Sequence, residues 1–166
     1  EVTAGPGRLL LQARRLDSGI GVLYSQPDML VTTLLEQMGA PKEIAGTGRW
    51  QQEHTAALKL LHDLGYEYRH LSWRELEAGR LPGDGLRLVV LTGAVCVSDR
   101  QAAALRAFVE AGGVLLCDGR AGLLSGAGRL REAGALDDLL GVTSPAGRAG
   151  LTEPLSTATL SGEAAV

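Results

Sequence analysis

The chain has 166 residues, of which 45% are hydrophobic and 21% are charged, which is the composition of one globular domain rather than of a disordered segment. Its formal net charge of −3 forces no basic surface, so we expect no nucleic-acid partner. Its apolar runs are far shorter than the roughly 20 residues of a bilayer-spanning helix, so we expect no membrane contact. No basic-then-apolar leader opens the chain, and we expect a cytoplasmic protein. A first residue Glu1 in place of Met suggests an excised fragment or a processed protein.

Short apolar runs alternate with amphipathic segments along the chain. In chain order the pattern predicts a helix at 8–16, a strand at 20–24, helices at 29–38 and 50–64, a strand at 66–71, a helix at 72–79, a strand at 86–91, a helix at 98–111, a strand at 114–117 and a short helix at 136–140. Two of these helices begin with the spacing of a capping box, at Ser72 and at Ser98. The glycine-rich segments 39–49 and 118–134 are predicted loops.

Strands that alternate with helices indicate βαβ units and a parallel sheet. We therefore predict an α/β fold of flavodoxin-like type, a three-layer sandwich with a mainly parallel sheet. The domain is predicted at residues 18–142. A leading helical segment precedes it at 1–17, and a tail rich in Gly, Ala, Ser and Thr, or an edge strand, follows at 143–166.

Polar and small residues follow several of the predicted strands. Ligands of open parallel sheets bind at the carboxyl ends of the strands, so these residues are the candidates for lining a crevice. They are Ser25, Gln26, Thr92, Gly93, Asp118, Gly119 and Arg120. One alternative for the function is therefore a small-molecule-binding module that uses this crevice.

Cofactor and metal motifs do not stand out in the sequence. The Walker pattern is absent, and the turn after the first predicted strand contains Pro27, which has no amide to donate to a phosphate. His54 and His62 lie eight residues apart on one predicted helix, while His70 lies in a strand, and this spacing does not form one metal site. We expect no cofactor, no metal and histidines that are solvated or hydrogen-bonded.

The two cysteines, Cys96 and Cys117, lie at the ends of predicted strands and are interpreted as buried, unpaired thiols. A second alternative is a cysteine hydrolase or amidotransferase relative, because class I glutamine amidotransferases share this general fold. However, Cys96 lies between Val95 and Val97 rather than between the glycines that permit a strained elbow. No histidine follows His70 in the sequence, which also counts against a cysteine triad.

Four carboxylates lie near predicted strand ends or helix caps, namely Asp28, Glu75, Asp99 and Asp118. A capping box explains Glu75, and the field at a helix N-terminus explains Asp99. Asp118 has no such local explanation, although a turn aspartate is its ordinary interpretation. The sequence does not pair two acids in the way that glycoside hydrolysis requires.

Five segments carry a resemblance to a known family: IGVLYSQP from Ile20, LKLLHDLGY from Leu58, LEAGRL from Leu76, LVVLTGAVCVSDRQAAALRAFVEAGGVLLCDGRAGLL from Leu88 and GALDDLLGV from Gly134. Together they resemble the middle, trimerisation domain of the family 42 glycoside hydrolases, the β-galactosidases. The resemblance implies a class I glutamine amidotransferase-like fold without the nucleophile and no catalytic activity in this chain alone. It also implies a homotrimer, and a catalytic barrel domain elsewhere in the parent protein.

The leading hypothesis is thus a structural or oligomerisation domain. An oligomer contact buries roughly 800 Å² per partner, which requires exposed apolar side chains. The candidates for this interface are Met29, Leu30, Leu34, Trp50 and Trp73.

Overall fold

The computed structural model describes residues 5–13, 18–38, 49–79, 85–117 and 121–144. Its elements in chain order are α1 (Pro6–Gln12), β1 (Ile20–Leu23), α2 (Gln26–Gln37), α3 (Arg49–Asp63), β2 (Arg69–Leu71), α4 (Trp73–Glu77), β3 (Leu88–Leu91), α5 (Asp99–Glu110), β4 (Val114–Cys117) and α6 (Asp137–Leu140). The predicted strands and helices are therefore present with shifted bounds. Helix α1 ends at Gln12 rather than at 16, α2 begins earlier, at Gln26, and β2 and β3 begin later than predicted, at Arg69 and Leu88. Most of the predicted loop at 39–49 and of the tail at 143–166 lies outside the described residues.

The four strands form one sheet in the order β2-β1-β3-β4, and every pair is parallel. In the central register, Val22 of β1 lies beside His70 of β2 and beside Val90 of β3, which in turn lies beside Leu116 of β4. The predicted α/β fold with a parallel sheet is confirmed. Strand β2 lies on one side of β1, and β3 and β4 lie on the other side. The strand order therefore reverses between β1 and β3.

Helices pack on both faces of the sheet, since successive side chains of a strand point to opposite faces. On one face, Val22 and Val90 form an aliphatic cluster with Leu61 of α3. On the other face, Leu91 belongs to a larger core that includes Leu105 of α5. The two clusters lie on opposite sides of the strands and give the molecule three layers.

The helix starts follow the local sequence. The Ser72 side chain accepts a hydrogen bond from the amide of Glu75, and the Glu75 carboxylate accepts one from the amide of Ser72. Ser98 and Gln101 make the same reciprocal pair at the start of α5. Both predicted capping boxes are confirmed, and each satisfies two amides that a helix start leaves without intrahelical partners.

Close packing around β1 requires a glycine at its centre. A Cβ atom on Gly21 would overlap the Leu71 side chain of the neighbouring β2 and would lie 3.0 Å from Leu86. The absence of a side chain at this position lets these two leucines enter the core beside the strand. Among the described residues, no helix is long and apolar enough to cross a membrane.

Candidate functional site

The candidate site lies at the carboxyl ends of β1 and β3, where the direction of strand addition reverses. Ligands of doubly wound sheets bind at such a point, because the helices that follow the two strands leave on opposite faces and open a crevice. Tyr24 and Ser25 follow β1, and Thr92 and Gly93 follow β3. The first turns of α3 and α4 lie against these four residues.

An aromatic cluster built around His54 of α3 lies on one side of this edge. Its Nδ1 atom is 2.9 Å from the Thr92 hydroxyl. The imidazole ring stacks on Trp50, with ring centroids 5.0 Å apart and an interplanar angle of 9°. It stacks more obliquely on His70 of β2 at 5.8 Å, and it meets the edge of the Tyr24 ring at 5.8 Å. Only 7% of His54 is exposed, so one buried imidazole joins α3 to β2 and to the carboxyl ends of β1 and β3.

Gly93 makes room for this cluster. Its φ angle of +56° lies in the left-handed region, and a Cβ atom there would lie 2.8 Å from Cδ1 of Trp50 and 3.1 Å from Oε2 of Glu53. The indole of Trp50 therefore lies directly on the backbone at the end of β3. Trp50 is 5% exposed, and its Nε1 atom donates no hydrogen bond although it is buried.

A second group of buried polar side chains lies beside the first turn of α2. Trp73 of α4 donates a hydrogen bond from Nε1 to the Ser25 hydroxyl at 3.0 Å. The Cys96 amide donates to Oδ1 of Asp28 at 2.5 Å. Asp28 is 0% exposed, and its Oδ2 atom accepts no hydrogen bond. A carboxylate in the first turn of a helix is favoured by the helix dipole, but complete removal from water opposes its charge.

The electrostatics of these groups follow from burial. Burial raises the pKa of Asp28 to about 6, although hydrogen bonds from Ser25 and from the amides of Cys96 and Val95 act in the opposite direction. Burial and the nearby Asp28 carboxylate raise the pKa of the Cys96 thiol to about 12. Burial, and then the charge of His70, lower the pKa of His54 from its ordinary value of 6.5. Near neutral pH the site thus contains a protonated thiol, a neutral imidazole and a buried carboxylate.

The predicted crevice residues that the structure describes do meet at this edge. Ser25 and Thr92 are buried, Gly93 is partly buried and Gln26 is exposed. Ser25 lies under Trp73, and Thr92 lies under His54. The remaining predicted crevice residues lie outside the described residues; they are Asp118, Gly119 and Arg120.

The candidate interface residues fall into two groups. Trp50 and Trp73 are buried within the chain, where each covers a strand end as described above. Leu30 and Leu34 of α2 are 52% and 55% exposed. Met29 is partly buried, and its sulfur accepts a hydrogen bond from the Tyr24 hydroxyl at 3.6 Å.

Sequence reasoning left His54 without a specific place in the site. A signal was present, because His54 lies three, four and seven residues before Ala57, Leu58 and Leu61, which form the buried stripe of α3. A polar side chain on the buried stripe of a helix must find a partner in the core, and Thr92 is that partner. Within the described ranges, no three His, Cys, Asp or Glu side chains form a group that could hold a metal ion.

Two solved structures share this architecture. The chain matches the β-galactosidase from Bifidobacterium adolescentis with a TM-score of 0.61 and 16% sequence identity, over 80% of this chain and 56% of that one. It matches Gan42B, a GH42 β-galactosidase, with a TM-score of 0.62 and 15% identity, over 79% of this chain and 18% of that one. The chain has the fold of a part of these β-galactosidases. No protein-family model and no curated protein matches the sequence.

The match to these β-galactosidases confirms the predicted resemblance at the level of the fold. The chain spans about half the length of one of the two proteins and less than a fifth of the other. In this chain, the hydroxyls at the strand ends already have hydrogen-bond partners. Ser25 is bonded to Trp73, and Thr92 is bonded to His54.

Cys96 and Cys117 do not form a disulfide; Cys96 is buried and Cys117 is partly buried. A nucleophile elbow holds its residue in a strained turn, but in the part of the chain that the structure describes only glycines have a positive φ angle. Cys96 lies instead in a short bridge to Leu124, and burial, followed by the nearby Asp28 carboxylate, raises the pKa of its thiol and keeps it protonated. This environment is the opposite of the electropositive one that activates a cysteine.

Proposed function

We propose that this chain is a non-catalytic, structural domain of a GH42-like β-galactosidase, in which it forms a homotrimer and accompanies a catalytic barrel of the same protein. The observation that carries the proposal is the shared fold over 80% of this chain with a β-galactosidase. The part matched in Gan42B is 18% of that protein, which fits an accessory domain within a larger enzyme.

The chemistry of the strand-end edge supports a role without catalysis. A glycosidase needs two carboxyl groups that flank a sugar. The buried carboxylate at this edge, Asp28, is closed off from solvent and accepts the amide of Cys96. A sugar could not contact this carboxylate while it remains fully buried. The same burial keeps the Cys96 thiol from acting as a nucleophile.

The apolar surface of α2 supports an assembly role. Leu30, Leu34 and Met38 follow each other at intervals of four residues, which places them along one side of the helix. All three are more than half exposed. The adjacent helix α3 exposes Leu60 and Leu64 at the same interval. A second copy of the chain that covers this surface would remove these side chains from water, at about 25 cal/mol for each Å² of apolar area.

Light scattering coupled to size exclusion tests the assembly role. We expect the chain to elute at three times its monomer mass, and the double substitution Leu30→Glu with Leu34→Glu to reduce that mass to one chain. The matched control is Leu9→Glu with Leu11→Glu on α1, two leucines that are more exposed still, at 72% and 75%, and it should leave the mass unchanged. A monomer at every concentration up to the millimolar range contradicts the proposal, as does an equal effect of the two double variants.

An activity assay and a labelling assay test the absence of catalysis. The purified chain should not hydrolyse a nitrophenyl galactoside. Cys96 should resist iodoacetamide at pH 7.5 in the folded chain and should react after unfolding in urea, as judged by mass spectrometry of its peptide. Hydrolysis by this chain alone, or rapid alkylation of folded Cys96, would show that the crevice has a chemical role.

A further inference from the structure

Helix α3 is attached to the sheet in two different ways along its length. Its second half packs through Ala57, Leu58 and Leu61 into the aliphatic cluster on one face of the sheet. Its first two turns are attached through Trp50 and His54, which lie on the polar carboxyl edge. The first attachment does not depend on pH, whereas the second includes a titratable ring.

We propose that protonation of His54 releases the first two turns of α3 from the carboxyl edge of the sheet, while the second half of the helix stays packed. The released segment carries Trp50 with it. Because Trp50 and His54 cover Gly93 and Thr92, acid would uncover the end of β3, where ligands of this type of sheet bind. The edge is therefore an acid-operated gate.

In the closed form, Trp50 and His54 lie on the carboxyl edge of the sheet, as the structure shows. The geometry explains why His54 binds a proton weakly in this form. His54 has almost no contact with water, and a charge there loses most of its hydration. The nearest titratable ring is His70, stacked at 5.8 Å, so that a second positive charge would lie beside the first. A cation stacked on Trp50 recovers only a part of that lost hydration. The hydrogen bond to Thr92 survives protonation, because Nδ1 of an imidazolium donates to a hydroxyl.

The other titratable groups around His54 do not reverse this preference. Tyr24 meets the ring by its edge, with ring centroids 5.8 Å apart. Tyr68 reaches the cluster through His70, whose ring it contacts at 5.7 Å. Glu53 precedes His54 on α3, and its carboxylate lies beside Gly93 at the end of β3. With all of these present, the pKa of His54 is still lowered, by burial first and by His70 second.

The direction of the switch follows from the two protonation states. The open form exposes the imidazole and gives it an ordinary pKa of 6.5, whereas the closed form binds the proton less tightly. Well above pH 6.5, His54 is neutral in both forms and the closed form is favoured by its contacts. As the pH falls below 6.5, His54 becomes protonated in the open form, whereas it binds the proton less tightly in the closed form. The equilibrium therefore shifts towards the open form.

Tryptophan fluorescence of the full chain is the test. Between pH 8 and pH 5, we expect a red shift of the emission and a rise in quenching by acrylamide, with a loss of far-ultraviolet circular dichroism no larger than two helical turns account for. The substitution His54→Gln keeps a hydrogen-bonding partner for Thr92 but cannot titrate, and it should abolish the pH dependence. The matched control is His62→Gln, which changes an exposed histidine of the same helix and should leave the transition intact. His70→Gln should move the transition to higher pH, because the repelling charge is removed.

Hydrogen exchange of the unaltered chain provides a second measurement that needs no variant. After correction for the intrinsic effect of pH, peptides covering 49–56 should lose protection at pH 5 while peptides covering 57–63 keep it. Loss of protection along the whole helix, no transition above pH 4, or a transition that persists in His54→Gln would each overturn the proposal. The same holds for a transition that disappears in His62→Gln.

Discussion

Asp28 gives a quantitative prediction, because its side chain is a carboxylate without any contact with solvent. Replacing it by asparagine keeps an oxygen that can accept the Cys96 amide and removes the titratable charge. We expect the free energy of unfolding of the natural chain and of Asp28→Asn to depend differently on pH. The difference between them isolates Asp28, because the other titratable groups are common to both proteins.

The sign and size follow from the pKa. Burial raises the pKa of Asp28 from 3.8 to about 6, so the folded state binds this proton more tightly than the unfolded state does. Stability contributed by Asp28 therefore rises as the pH falls through 6 and levels off below 3.8. A change of about two pKa units corresponds to about 3 kcal/mol in total. Of this, about 1.4 kcal/mol is gained between pH 8 and pH 5.

Urea unfolding at a series of pH values from 8 to 5 measures this difference. The natural chain should gain about 1.4 kcal/mol relative to Asp28→Asn over that interval. The constant cost of burying an amide group in the variant shifts every point equally and does not enter the comparison. Asp63→Asn changes a carboxylate that is 80% exposed and serves as the control without such a gain. A difference between the natural chain and Asp28→Asn that stays constant from pH 8 to pH 5 would refute the assignment of Asp28 as a charge-burying residue.

Three further substitutions test the packing and the helix starts, each by urea unfolding at pH 7. Gly21→Ala should destabilise the fold by about 1–3 kcal/mol, because its Cβ would overlap Leu71; an unchanged midpoint would show that the strands separate easily. Ser98→Ala should cost about 1 kcal/mol through loss of the α5 cap, and a loss below about 0.3 kcal/mol would contradict the role of the capping box. Arg106→Lys should lose the fork that bonds Asp138 and a main-chain oxygen, but it should cost less than about 1 kcal/mol because the Asp138 carboxylate is 66% exposed.

The elements of this fold were predictable because their signals are local. The apolar runs of the strands are bounded by turn residues, and the reciprocal pairs Ser72–Glu75 and Ser98–Gln101 occur at a fixed spacing of three residues. Alternation of strands with helices then implies a parallel sheet, because a parallel connection needs room for a helix. Each of these inferences uses residues that are close in sequence, and the structure confirmed them.

The arrangement of the candidate site depended on residues that are distant in sequence. Trp50 begins a helix after a glycine-rich segment, which suggested a surface position. It is buried because Gly93 leaves a space at the end of β3 that the indole fills. Nothing close to Trp50 in the sequence indicates that space. In the same way, the partner of His54 is Thr92, 38 residues further along the chain.

The closed edge and the unactivated thiol have a common physical origin. A crevice in a parallel sheet binds ligands only if the strand-end hydroxyls and amides are available to them. In this chain the first two turns of α3 place Trp50 and His54 over those groups, and the first turn of α4 places Trp73 there. Asp28 accepts a hydrogen bond from the amide of Cys96. The energy that a ligand could gain there is therefore already used to attach helices to the sheet. A fold whose crevice is filled in this way offers a ligand few free groups at the strand ends, which agrees with the proposed non-catalytic role unless acid reopens the edge.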